Sequence, residues 1–452
     1  MPLSRVQIHA LIAIAAAQLW LGLLWFFYWG HGIERGVILA VVLAGLIALR
    51  FVKGPTTGTG PVPAPRWLIY VAGAAVVLNI ILMVVSTTHS WRTGHIPMDE
   101  GETSWRAARI LDQGHDPYGA GALVDFAAFR TRLATRQTAG IGPTIPAADI
   151  DPALQRYDQH LDTRLRRKLL PAPGHATGVT SRETSVLGYK YGPLLLLATA
   201  LLVPLGVPAL VLLLNGMASF GLYATMWAIL RRVSRGDMVL ALAALIALLL
   251  DRHITRNYIN RSATDVWSLL FGALGVLAFL SRKPVASAAA LAVAVGCKIL
   301  PGLAFFPILL RYRSTSLILV FAAILFGIYL PWLLWDARGI VSNVFLWPFL
   351  MTKDSSSWQF FVPAAVAMGS RLLALAAMAI VWLRYLTGRE SRLFWTLAMS
   401  NVLLLLGSGF LRNGYVPWAS LWIVAAIVEA YAEQEPDHQR TSILARGDIA
   451  TS

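Results

Sequence analysis

One cysteine, Cys297, stands in 452 residues. That excludes an internal disulfide framework and a thiolate zinc cluster. Charge is scarce as well. Asp, Glu, Lys and Arg make up 13% of the chain against 57% hydrophobic residues, a ratio outside ordinary soluble globular composition. Acids are the rarer sign, 23 against 38 Lys and Arg, for a formal net charge of +15. The cations lie in short connectors between apolar runs rather than in one stripe, so they report membrane topology and no nucleic-acid partner. Strand-like alternation is missing from the long apolar runs, which excludes a barrel and leaves helices. No His or carboxylate cluster has metal-ligand spacing, so neither metal nor cofactor is expected. The segment 54–65 (GPTTGTGPVPAP) lacks the GK[ST] ending of a phosphate loop and reads as a flexible linker. No internal repeat is visible.

What is present predicts an all-α polytopic membrane protein. Apolar spans centre near residues 10–29, 36–52, 67–87, 208–230, 237–251, 264–281, 284–297, 300–311, 315–335, 366–386, 393–409 and 415–431, about twelve crossings at roughly 20 residues each. The first run lacks a clear cleavage site and reads as a retained helix. Five basic groups mark alternate connectors: Arg50, Lys53 and Arg66; Arg231, Arg232 and Arg235; Arg282 and Lys283; Arg311 and Arg313; Arg384, Arg389 and Arg392. They share the cytoplasmic side if the short run 193–205 is interfacial rather than crossing. Both termini are then cytoplasmic and the long loop 88–192 faces outside. The domains expected are 1–66, two helices and a linker; 67–431, the transmembrane catalytic unit; and 432–452, a tail.

The residues that could carry chemistry gather at that outer face. Asp99 and Glu100 open a helical pattern in which Trp105, Ala108 and Leu111 share a face, a placement that fixes carboxylates at headgroup depth, where partial desolvation favours a general base. An acidic first helical turn explains the pair equally well. The stretch Gly114-His115-Asp116-Pro117-Tyr118-Gly119 is a turn by composition, with His115 a solvated residue or a proton shuttle. Arg252, Arg256 and Arg261 fall in an outside connector, 251–265, where guanidinium forks suit phosphate oxygens or lipid headgroups. Lys298 lies between two short apolar runs, where a charge either serves function or snorkels. Lys190, Tyr191 and Arg412 bring further polar and aromatic groups to the same rim.

In their order along the chain these motifs resemble the GT-C class of membrane glycosyltransferases. Asp99-Glu100 followed by Ala108-Arg109, Leu111 and Gly114 is similar to the first-loop motif of the protein O-mannosyltransferase and aminoarabinose transferase branch. The GxDPY ending, Tyr191-Gly192-Pro193-Leu194 and Lys298-x-x-Pro301 look more like the polyprenyl-phosphate-mannose-dependent α-mannosyltransferase branch. The resemblance spans about residues 67–430. It implies a GT-C-like bundle whose first catalytic loop is extracytoplasmic and carries interfacial helices. Asp99 would be the general base, with Glu100 positioning the acceptor or substituting. The implied donor is a polyprenyl-phosphate-linked sugar, mannose or a relative. Its phosphate would be held by Lys298, Arg256, Arg261 and Arg252, and substrate by His115, Tyr118, Lys190, Tyr191 and Arg412. The acceptor is a glycan, lipid or protein, and the transfer inverts the anomeric centre. Here the first loop follows the third span rather than the first, and Tyr-Gly-Pro stands where Lys-Pro-Pro or Tyr-Pro-Pro is usual. A polytopic transporter or lipid-linked-sugar flippase is the alternative from another class, though its ionisable groups would belong nearer mid-membrane.

Overall fold

The computed structural model describes residues 3–27, 32–52, 63–94, 96, 99–118, 189, 191–261, 263–346, 357–408 and 413–432. Among them every regular element is a helix. In chain order these are α1 Arg5–Phe26, α2 Gly32–Leu49, α3 Arg66–Thr93, α4 Asp99–Asp112, α5 Pro193–Ala200, α6 Leu210–Val233, α7 Met238–Leu249 and α8 Arg252–Ile254. The second half holds α9 Asp265–Leu280, α10 Pro284–Cys297, α11 Ile299–Leu303, α12 Phe306–Arg311, α13 Thr315–Ile340, α14 Ala364–Leu386, α15 Leu393–Gly407 and α16 Val416–Tyr431.

Among the described residues six helices are long and apolar enough to cross a membrane, or seven if α7 and the bent segment after it count as one span. A polytopic membrane protein follows from that. The twelve apolar runs all appear as helix, yet α9, α10, α15 and α16 have only 14–16 residues. At 1.5 Å per residue such helices reach about 21–24 Å, short of a hydrocarbon core about 30 Å thick. Among the described residues length alone therefore licenses six or seven crossings, where the apolar runs suggested about twelve. The loop also starts later than expected, because α3 runs on to Thr93 and stops at Gly94, whose left-handed φ of 64° turns the chain out of the helix.

Burial divides the helices into centre and rim. Fourteen of the sixteen residues of α16 are buried, as expected for a helix that is apolar all round. Trp422 at its middle stacks on Phe394 of α15 and meets Phe305 edge-on, with ring centroids 6.3 and 5.5 Å apart. In contrast, α3, α13 and α14 leave Ile81, Val84, Leu334, Leu372, Leu373 and Leu383 exposed. An apolar face of that extent needs lipid or a partner to cover it.

The basic connectors converge at one end of the bundle. Arg50 pairs with Glu390 at 3.1 Å, and Arg392 donates to the carbonyls of Leu49 and Val52 at the end of α2. Arg311 and Arg313 donate to Tyr385 and Leu386 carbonyls at the end of α14, while Arg232 donates to Ser281 after α9. At this end Glu429 of α16 accepts from the backbone N–H groups of Leu393, Phe394 and Trp395, capping α15 from outside the segment. Because α9 begins at Asp265 and ends beside Arg282, and α10 begins after Lys283 and ends before Lys298, the opposite ends of the same helices carry the acidic site.

Candidate functional site

Helix α4 is amphipathic. Glu100, Ser104, Ala107 and Ala108 form its buried face against α5, while Glu102 and Arg106 pair across 3.1 Å on the other. Glu100 is 5% exposed and is fully engaged: Oε2 accepts from the backbone N–H of Thr264 at 2.9 Å and from its hydroxyl at 3.1 Å. Thr264 immediately precedes α9, so a carboxylate of the first loop satisfies an N–H at the start of a helix more than 160 residues away in the chain. The positive end of the α9 dipole favours that charge, and Asp265, the first residue of the same helix, profits likewise.

Lys298 joins the two acids. It stands in extended conformation (φ −157°, ψ 124°) between α10 and α11, at the carbonyl end of α10, where a cation is favoured. Its Nζ lies 3.4 Å from Glu100 Oε1 and also binds Asp265 Oδ1. Asp265 is completely buried, and its second oxygen accepts from the indole N–H of Trp418 at 3.1 Å. The ammonium lies 4.9 Å from the ring centroid of Tyr191, 5.3 Å from that of Tyr415 and 6.0 Å from that of Trp418. Two carboxylates thus share one ammonium inside an aromatic wall, a strong arrangement because little water screens it. Ser268 locks the two helices behind it, donating to the carbonyls of Ala294 and Lys298.

The Tyr-Gly-Pro segment is threaded against this centre. Gly192 N–H donates to Cys297 C=O at 3.0 Å, and a Cβ at Gly192 would stand 1.8 Å from the Gly296 oxygen. Only glycine permits that approach. Tyr191 is held from the other side by Tyr118, whose buried hydroxyl donates to the Tyr191 carbonyl at 3.2 Å. Tyr118, Tyr189 and Tyr191 meet edge-on, and Trp332 of α13 extends the cluster past Tyr118. Burial raises the Tyr189 phenol far above its ordinary value, partly offset by its hydrogen bond with Ser104, and burial raises Tyr118 in the same direction. Both stay neutral.

The expected residues therefore separate into groups. Glu100, Lys298, Tyr191 and Tyr118 come together. Asp99 is the first residue of α4, adjacent to Glu100, and its side chain lies outside the described residues. Lys190 and Arg412 also lie outside them. His115 is an exposed turn residue whose N–H closes the end of α4 on Ile110 C=O. Arg252, Arg256 and Arg261 line a different feature, a cavity of about 670 Å³ between α3 and the bend after α7. Lys298 does not line that cavity; it is committed to Glu100 and Asp265. Sequence reasoning assigned no role to Asp265, Thr264 or Trp418. A lone Asp opening an apolar helix is an ordinary sequence feature, and nothing local shows that a distant lysine meets it. Among the described residues no group of three potential metal ligands is present.

Comparison with known proteins finds no matching family model, no matching curated protein and no matching solved structure.

Proposed function

We propose that this chain is an integral membrane glycosyltransferase of GT-C type that moves a sugar from a polyprenyl-phosphate donor to an acceptor on the extracytoplasmic side. The observation that carries the reading is the convergence of Glu100, Asp265 and Lys298 at the helix ends opposite the basic connectors. Basic connectors mark the cytoplasmic side, so the acidic centre belongs to the outer face, where a first-loop carboxylate of this class acts.

In this reading Asp99 is the general base and Glu100 the residue that positions it. The Glu100 oxygens are occupied by Thr264 and Lys298, which suits fixing the first turn of α4 better than accepting a proton. The acceptor hydroxyl oxygen attacks the anomeric carbon, its proton passes to Asp99, the bond from that carbon to the phosphate oxygen breaks, and the lipid monophosphate leaves with the electron pair. Attack from the face opposite the phosphate inverts the centre. No resident metal or cofactor enters the scheme. The break after α7, with its 40° bend, is the observation that favours the second reading, a lipid-linked-sugar flippase, because transporters place broken helices at their substrate sites.

The deciding experiment is transfer from a radiolabelled polyprenyl-phosphate sugar by purified protein. Asp99→Asn abolishes transfer while leaving the detergent melting temperature within about 2 °C, since the substitution is isosteric and removes only the ionisable oxygen. Wild-type turnover in Asp99→Asn removes that residue from the mechanism. Lipid translocation without any transfer product selects the flippase.

A further inference from the structure

One charge interrupts the lipid-facing surface of α14. Arg371 is the only charged side chain in that helix before Arg384 in its last turn, and α14 is long and apolar enough to cross a membrane. Around it Met368, Leu372, Leu373 and Leu375 are 48–71% exposed, so the guanidinium borders hydrocarbon. The far end of α14 meets the basic connectors, where Arg311 donates to the carbonyls of Tyr385 and Leu386. Arg371 therefore lies in the outer half of the span, about two turns from Ala364. A cation at such a depth is costly unless it reaches a polar or anionic partner.

The structure fixes one edge of that guanidinium. Its Nε donates to Gln359 Oε1 at 2.8 Å, and the buried Gln359 amide donates in turn to Ser370 Oγ at 3.2 Å and to Leu406 C=O at 3.3 Å. Gln359 belongs to the short turn Trp358–Phe361, which Ser357 and Trp358 tie to the end of α15 by donating to the carbonyls of Ser408 and Leu406. Helices α14 and α15 approach closely at this level: a Cβ on Gly407 would stand 2.9 Å from Ala374 Cβ and 3.9 Å from Arg371 Cα. A buried amide thus aims the side chain. The other edge of the guanidinium is unlike the first. Its two Nη groups have no protein partner among the described residues and are not buried, and no carboxylate there pairs with Arg371.

A planar fork held along one edge offers its remaining N–H groups to two oxygens at once, a geometry that suits a phosphodiester. We propose that Arg371 binds the phosphodiester of an anionic glycerophospholipid in the outer leaflet, whose acyl chains lie along Met368, Leu372 and Leu375. The bilayer supplies the counter-charge that the protein omits. A headgroup with one net negative charge complements one cation, whereas a choline headgroup carries its own ammonium beside the phosphate. Bound there, the lipid fastens α14 to the turn Trp358–Phe361 and through it to α15. It is a resident of the membrane, neither donor nor acceptor of a sugar, and its site shares no residue with the acidic centre or the arginine-lined cavity.

The test uses the full chain, delipidated in uncharged detergent, and counts bound lipid by native mass spectrometry during titration with dioctanoyl phosphatidylglycerol or dioctanoyl phosphatidylcholine. The anionic lipid is expected to bind about 10-fold tighter than the choline lipid, and Arg371→Gln to bring the two level, as for lost charge-assisted hydrogen bonds. Met368→Glu leaves Arg371 and Gln359 in place and sets a carboxylate one turn away on the same exposed face, where it neutralises the guanidinium from within the helix. It should erase the preference too. Equal affinity for the two lipids in the unmodified protein reduces Arg371 to unselective snorkelling and overturns the proposal, as does a preference retained in Arg371→Gln. Should Arg371→Gln not fold, a preference retained in Met368→Glu does so. Competition by water-soluble glycerophosphoglycerol at the concentration of the lipid identifies a soluble-anion site and overturns the lipid assignment. No sugar is present, so the result is independent of transfer.

Discussion

Lys298 Nζ lies 3.4 Å from Glu100 Oε1, although 198 positions separate the two residues in the chain. The same ammonium binds Asp265, so removing it leaves two carboxylates facing each other in a buried site. Lys298→Met is expected to lower stability by about 3–5 kcal/mol, the cost of breaking a buried ionic arrangement from one side. Adding Asp265→Asn should recover at least about 1 kcal/mol, because it removes the charge left unpaired. Thermal denaturation of the single and double variants measures both, and additive losses would show that Asp265 and Lys298 do not interact.

Gly192→Ala is expected to destabilise more than Gly94→Ala. At Gly192 the new methyl meets backbone oxygen at 1.8 Å, whereas Gly94 has open space and only its positive φ to satisfy. The costs should be about 2–3 kcal/mol or more against about 1 kcal/mol. Melting temperatures in one detergent rank the two, and the reverse order would contradict the threading of Tyr-Gly-Pro against α10.

The buried phenols give a signed pH prediction. Burial raises Tyr118 and Tyr189 above the ordinary tyrosine value, so the folded protein keeps these protons where the unfolded chain loses them. Their contribution is complete below about pH 10 and declines as pH climbs beyond it. Tyr189→Phe loses the Ser104 hydrogen bond, about 1 kcal/mol, and leaves the pH profile between 6 and 9 unchanged. A shift of that profile in Tyr189→Phe would show that the phenol titrates there.

Sidedness is open to direct labelling, because the single cysteine is buried and supplies little background. His115→Cys places a thiol at an exposed turn next to α4. A membrane-impermeant maleimide is expected to label it in intact cells, and Arg313→Cys, at the basic end, only after lysis. The opposite pattern would invert the topology.

How much of this was legible beforehand depends on the range of the interaction. The apolar runs announced every long helix, since a 20-residue stretch carries its own signal. The break at Lys298 was readable too: a lysine and Pro301 interrupt the apolar run. Glu100 stood out by its neighbour Asp99. Its partner did not, because Thr264 and Asp265 look like an ordinary helix start and only packing reveals that the first loop caps it. The three arginines line one cavity, while Lys298, expected beside them in a single phosphate clamp, lies with Glu100 and Asp265 instead.

The amino-acid order by itself determined helical secondary structure, a membrane environment and the segregation of basic connectors, because each follows from local hydrophobicity and charge. Tertiary structure decided which charges meet. A buried ammonium is held where two carboxylates can reach it, and that point is set by the packing of α4, α9, α10 and α16, which no single stretch of sequence encodes.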